Sequence, residues 1–411
     1  MLPRIPRVAA GLAMTLVVVQ SRPTIADPSA VPTALDQVTF LRRVAEGSPR
    51  RPVIDARRRA AAAAIEAAGV RPNPHLSYER EAVPGLDSHD DFFRLGYSLD
   101  LGGRRGLAVA GARAAADAER ATTERDVLVV DADARLAYLE AAHARELLAR
   151  LDASRVSLSE LVESLRSRAA QGDASNYDAE RATLELDLLD DERATAARKL
   201  GVARLGLGAL VGEPATPYDA ADAITLPARP TRQPIMAARP EIDAARARAR
   251  QADREAVAAG RGWIPRLELT VGLLASSGPD GDGVGYIVGI GGDLPVFDAG
   301  GAARTRARAE GKRWEAEATA LAVEASAEVE QARTELTARI EQAETFIAGA
   351  AVRAEDLQRR SAVAYREGDR TILELLDVHR TARDVAMRSL EMIYEARRAE
   401  LALRRASGRA P

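Results

Sequence analysis

The sequence predicts a mainly helical fold in which long helical hairpins join two pairs of β-strands, the whole order being stated twice. Three observations predict it. First, Arg51-Pro52-Val53-Ile54-Asp55-Ala56 recurs 188 residues later as Arg239-Pro240-Glu241-Ile242-Asp243-Ala244, and Gly172-Asp173 recurs 196 residues later as Gly368-Asp369. A repeat this long, occurring only twice, reads as a duplicated half-molecule and not as a solenoid unit. Second, residues 104–170 and 302–367 contain no proline. The first tract would make a helix about 100 Å long, several times the ordinary globular length. Third, Phe93, Leu95, Tyr97, Leu99 and Leu101 alternate with Arg94, Gly96, Ser98 and Asp100. That period of two puts one strand face in an apolar medium and the other in water.

Composition supports thin helix-on-helix layers. Aromatics make up only 4% of the 411 residues, while Ala, Arg, Glu and Leu dominate the long tracts, as in extended helices and coiled coils. Residues 1–26 read as a secretory signal, with Arg4 and Arg7 at the start, an apolar run from Val8 to Val19 and a small-residue exit at Thr24-Ile25-Ala26. The run is too short to span a bilayer as a helix. Losing Arg4, Arg7 and Arg22 with it takes the formal charge from −3 to −6, which leaves no electrostatic footprint for nucleic acid. There is no cysteine, so no disulfide holds an exported chain and no processed amino-terminal cysteine carries a lipid.

Taken in order, the first repeat occupies residues 27–212. A helical stretch over 35–69 ends near Gly69, Pro72 and Pro74. A strand pair follows within 74–101, its turn-rich loop running from Pro84-Gly85 to Asp91. The long helix from Arg104 then turns at Gly172-Asp173 and returns to Val211. Residues 213–233, with Pro214, Pro217, Pro227 and Pro230, read as a linker. The second repeat, 234–411, restates the order: a helix over 240–261, a strand pair within 264–297, a helix over 302–367, a turn at Gly368-Asp369 and a last helix to Gly408.

Strands of about ten residues fit a tilted membrane-spanning strand, yet four cannot close a barrel, since membrane barrels start at eight. Open edges in lipid leave backbone groups unpaired at several kcal/mol each. Either several chains share one barrel, three copies giving twelve strands, or two soluble hairpins cap a helical rod. The secretion signal and the long helices favour the shared barrel.

These segments resemble the TolC-type outer-membrane efflux channels. The resemblance rests on Arg239-Pro240-Glu241-Ile242 with Ile264-Pro265-Arg266-Leu267, on the strand exit Leu294-Pro295-Val296-Phe297-Asp298-Ala299-Gly300-Gly301, and on the run from Tyr365 through Gly368-Asp369 to Asp377. Gly172-Asp173-Ala174-Ser175-Asn176-Tyr177-Asp178 is similar to the turn of the CzcC-like metal-efflux branch. The resemblance implies a homotrimer: a twelve-stranded barrel in outer-membrane lipid, continuous with a periplasmic helical tunnel. It implies docking on a periplasmic adaptor and an inner-membrane pump of the RND type, with heavy-metal cations as cargo. A drug, solvent or protein-export duct is the alternative within the family. A soluble helical-hairpin adaptor is the alternative from another class, although it offers no use for two separated strand pairs.

The sequence holds no catalytic constellation, so no enzyme and no cofactor are expected. His75, His89, His143 and His379 are scattered, without the spacing of a metal site, and read as surface or interface residues. Gly289-Ile290-Gly291-Gly292 lacks the full spacing of a phosphate loop and reads as strand glycine. The informative polar residues surround the two helix turns. Asp178 and Glu374 each follow their turn glycine by six residues, and Glu374 and Asp377 share a helix face. Lining a tunnel mouth, such carboxylates would form a cation-attracting ring and raise one another's pKa. The resemblance further implies a gate in which Asp178 pairs with Tyr365 and Arg370 supplies a second donor. It makes the turns at Gly172 and Gly368 the adaptor-docking tips, glycine there permitting the positive φ that reverses a helix pair.

Overall fold

The structure, a computed structural model, describes residues 32–82, 88–172, 175–230, 239–279 and 281–408. The signal segment 1–26, Asp173 of the first turn and the last residues of the linker lie outside the described residues. The elements run β1 (Thr33–Leu35), α1 (Gln37–Gly47), α2 (Arg51–Gly69), β2 (His75–Ala82), β3 (His89–Leu99), α3 (Arg104–Ala170), α4 (Asn176–Val211) and β4 (Tyr218–Ala220). They continue α5 (Pro240–Ala259), β5 (Arg266–Ser277), β6 (Gly283–Asp293), α6 (Gly301–Phe346), α7 (Val352–Glu367) and α8 (Ile372–Ala406).

The two strand pairs join in one antiparallel sheet, ordered β2-β3-β5-β6. Register sets Tyr78 opposite Phe93, Phe93 opposite Leu273, and Leu273 opposite Tyr286. Leu76, Leu95, Val271 and Val288 form the next row. Because side chains alternate along a strand, these rows make one apolar face, and its members are exposed. The other face carries polar pairs, Arg94 with Glu79 and His75 with Glu268 at 3.3 Å. β2 and β6 leave two unpaired edges in the single chain.

Below the sheet, α3 packs on α2, α4, α5 and α8. The α3–α4 hairpin is wound tightly enough that Leu151, Leu158 and Leu165 of α3 meet Leu189 and Ala182 of α4. Among the described residues, no helix is long and apolar enough to cross a membrane.

Three expectations change. The helical stretch over 35–69 is two helices, because Gly47, Pro49 and Pro52 interrupt it. Gly47 also abuts the end of α4: a Cβ there would lie 2.4 Å from the Val211 carbonyl oxygen. The tract 302–367 is interrupted by a π turn at Ile347–Ala351, a one-residue widening that sequence periodicity does not signal. Finally, the segment expected as a linker is core. β4 pairs in parallel with β1, and Tyr218, Ala220 and Ile224 pack with Phe40, Val44, Tyr138, Ala142 and Leu207. The Tyr138 hydroxyl donates to the Leu35 carbonyl at 2.8 Å, and burial pushes that phenol up to about 12.

Candidate gate at the helical turns

Both helix turns lie at one end of the molecule, because one apolar cluster holds residues from each. Leu165, Ala179 and Ala182 flank the first turn, Ile372, Leu375 and Leu376 follow the second, and all share the cluster. Tyr365, three residues before the second turn, packs against it. Gly172 and Gly368 both stand at φ +83, where a side chain would be strained. At the second turn the Asp369 amide donates to the Ala364 carbonyl at 2.9 Å, closing the helix end.

Each returning helix has a polar cap. The Ser175 hydroxyl accepts from the Tyr177 amide at 3.1 Å. Thr371 caps α8 in a reciprocal box: its hydroxyl accepts from the Glu374 amide, and the Glu374 carboxylate accepts from the Thr371 amide at 2.9 Å. Asp178 and Glu374 are therefore both third residues of their helices, where the helix dipole favours negative charge.

The two carboxylates are employed differently. Glu374 also takes an ion pair from Arg370 at 2.8 Å. The Thr371 amide, then the Arg370 guanidinium, hold its carboxyl below the usual range. Within the chain this opposes the rise expected from crowding, since the carboxylate is capped and paired. Asp178 accepts no side-chain hydrogen bond or ion pair from the described residues of its own chain. Tyr365 does not reach it; the ring instead lies under Arg168, 5.7 Å from the guanidinium carbon. Arg370 stays with Glu374. Asp377 is exposed one turn beyond.

A more buried charged group stands two turns further up, and sequence reasoning missed it. Glu185 of α4, with a side chain 11% exposed, is gripped by Arg380 of α8, while Arg383 lies at 3.9 Å. The Arg380 hydrogen bond holds the Glu185 carboxyl below its usual range against the opposing effect of burial. The available signal was that Glu185 lies in the Ala182–Leu189 apolar register.

The histidines divide. His75 and His89 are on the sheet. His143 is stacked on Tyr394 at 4.5 Å and lies 3.2 Å from Glu391. His379 meets Gln358 at 3.3 Å. Burial lowers both imidazoles, for His143 against Glu391 and Glu146, with Arg150 and Lys199 adding to the lowering. An imidazole lowered by folding leaves stability intact above the unfolded value of about 6.5 and loses it as pH falls through the folded value. The melting temperature should therefore drop between pH 7 and 5.5, and the His143→Gln, His379→Gln variant should show a flatter profile there. An equal slope in the variant would assign the loss to other groups. Among the described residues, no cluster of three metal-ligating side chains occurs.

Residues 232–409 match the family model of outer membrane efflux proteins. Over that part the chain is similar to the family. Its members are passive outer-membrane efflux channels of tripartite pumps, not enzymes. The family match spans the second half, and likeness of fold to solved structures covers the whole chain. The outer-membrane protein VceC of Vibrio cholerae is 22% identical, with a TM-score of 0.73 over 90% of this chain and 96% of its own. CusC is 17% identical, with a TM-score of 0.73 over 94% and 98%. The open MtrE outer membrane channel of Neisseria gonorrhoeae is 17% identical, with a TM-score of 0.73 over 100% and 98%. No curated protein matches the chain. The chain thus shares the fold of these solved outer-membrane channels, its four-stranded sheet and long helices included.

Proposed function

We propose that three copies of this chain form a passive outer-membrane efflux duct, gated at the helical turns, through which a partner pump discharges cations. The observation that carries this is the open sheet: four strands with one exposed apolar face and two unpaired edges. Lipid tolerates no unpaired edge and closure needs at least eight strands, so three chains sharing twelve strands satisfy both. A periplasmic adaptor would seat on the turns at Gly172 and Gly368, and an inner-membrane pump of the RND type would supply the driving force.

The unpaired Asp178 supports a gate completed across chains, with Tyr365 and Arg370 of the adjoining chain as its donors. Glu374 and Asp377 would line the mouth. Since Glu374 is already neutralised by Arg370, Asp377 carries more of the ring's attraction for cations. Heavy-metal cargo is supported by the form of the first turn and by these acids.

Recording in planar bilayers tests the gate. Asp178→Ala with Tyr365→Phe should raise single-channel conductance several-fold; an unchanged conductance would sink the assignment. Cargo is tested by deletion: a strain without the chain should lose tolerance to zinc, cobalt or cadmium while keeping its resistance to drugs. The reverse pattern would make this a drug duct.

A further inference from the structure

The sheet has two chemically different ends. Its hairpin-loop end carries Glu79, Glu81, Asp90, Asp91 and Asp282. At its helix end, Leu99, Leu267 and Gly292 are in register, and the chain passes directly into or out of α3, α5 and α6. Among the exposed arginines at these passages are Arg105, Arg261 and Arg304, and Arg71 stands where α2 leads into β2. Among the described residues none of the four is in an ion pair. Two of the carboxylates at this level are occupied by backbone: Asp100 accepts from the Arg104 and Arg105 amides at 2.9 Å, and Asp298 from the Gly300 amide at 2.8 Å. Asp293 is the third.

Large apolar side chains stand exposed at the same level. Leu294 and Val296 follow the end of β6, where the Val296 amide donates to the Leu294 carbonyl and turns the chain, and each is 74% exposed. Phe297 is fully exposed, and so, at 65%, is most of Trp263. The chain has only two tryptophans, so this placement is a choice of position and not a consequence of abundance. Midway along the same face the Tyr78 and Phe93 rings meet at 4.9 Å, in the row that ends at Tyr286, and Tyr97 stands nearer the helix end opposite Leu269. β6 itself, Gly283–Asp293, has the 11 residues that a tilted strand needs to cross the hydrocarbon layer. Aromatic girdles at both interfaces are the usual dress of membrane barrels.

We propose that the helix end of the sheet is a phospholipid-binding belt. The four arginines hold phosphodiester headgroups of the periplasmic leaflet, and Trp263, Leu294, Val296 and Phe297 seat in the boundary between headgroups and acyl chains. Guanidinium pairs well with phosphate oxygens, and basic sites at membrane surfaces select anionic lipid. These exposed apolar residues adjoin the sheet's exposed apolar face at its helix end, which favours lipid over a soluble partner. The belt fixes the depth at which the tunnel hangs. The inference rests on the duct reading above.

The test uses the full chain in vesicles. In the Trp314→Phe variant Trp263 is the only tryptophan. Its fluorescence should be quenched most by phospholipids brominated near the top of the acyl chain and less by deep bromines. Absence of quenching, as when a second copy of the chain covers this surface, overturns the belt. In a second arm, phosphatidylglycerol should raise the melting temperature relative to phosphatidylcholine, and Arg105→Gln with Arg304→Gln should lose most of that shift. A shift missing from the unmodified chain, or kept whole in the variant, also overturns it. Vesicles that conduct without Trp263 quenching remove the belt alone; vesicles in which the chain neither inserts nor conducts remove the duct as well.

Discussion

Phe40→Ala is expected to cost about 3–5 kcal/mol of stability, the range for deleting a fully buried aromatic side chain. Phe40 is 0% exposed and its ring lies 5.5 Å from that of Tyr138. Its position explains the size of the effect. It sits where α1, the middle of α3, the end of α4 and the β4 segment converge, so the cavity opens at a four-way junction with no single neighbour able to close it. A chain with few large side chains has little to repack with. Val38→Ala on the same helix is the control: Val38 is 70% exposed, and the change should stay within about 0.5 kcal/mol. Denaturant unfolding of the solubilised protein reads both. If Phe40→Ala costs no more than Val38→Ala, the junction is not what fastens α1 to the hairpin.

That junction also marks where the sequence stops being readable. The long helices and the strands were legible because each has a local signature: α3 lacks proline over all 67 residues, and β3 and β5 alternate cleanly. Segment 213–230 has no period and several prolines, the pattern of a linker. Its role as core arises from contacts with residues about 80 to 180 positions away, such as Tyr138 and Leu35, and no local pattern encodes those. The π turn at 347–351 was silent for the related reason that one extra residue leaves composition unchanged. At the turns, spacing identified the equivalence of Asp178 and Glu374, but not that one carboxylate is capped and paired and the other unpaired. Thr371, which makes the difference, could have been read as a capping box from Thr-x-x-Glu.

Glu185→Ala is expected to destabilise the chain by about 1–3 kcal/mol, the cost of stripping a charged hydrogen-bond partner, and to raise conductance. A fully buried pair would cost more, but Arg380 is 49% exposed and can turn to water. Arg383, at 12% exposure, cannot, and keeps a weaker contact to Glu192 at 3.8 Å. The functional effect follows from where the bond lies. α4 leaves the first turn and α8 leaves the second, and Glu185 joins them across the two halves of the chain. Any movement that separates the turns must stretch or break this contact, so in the gate proposed above it favours a closed mouth. Because folding lowers the Glu185 carboxyl, its contribution is present above the unfolded value and lost as pH falls through the folded one, in an acid window below that of the histidines. Glu185→Gln keeps the shape and loses the charge, so it should move both readouts in the same direction but less far. Exchanging the pair, Glu185→Arg with Arg380→Glu, should recover part of the stability and part of the closed conductance, a coupling that two independent surface substitutions would not show. Strict additivity in that cycle would reduce Glu185 to a packed side chain and return the control of the mouth to the turns alone.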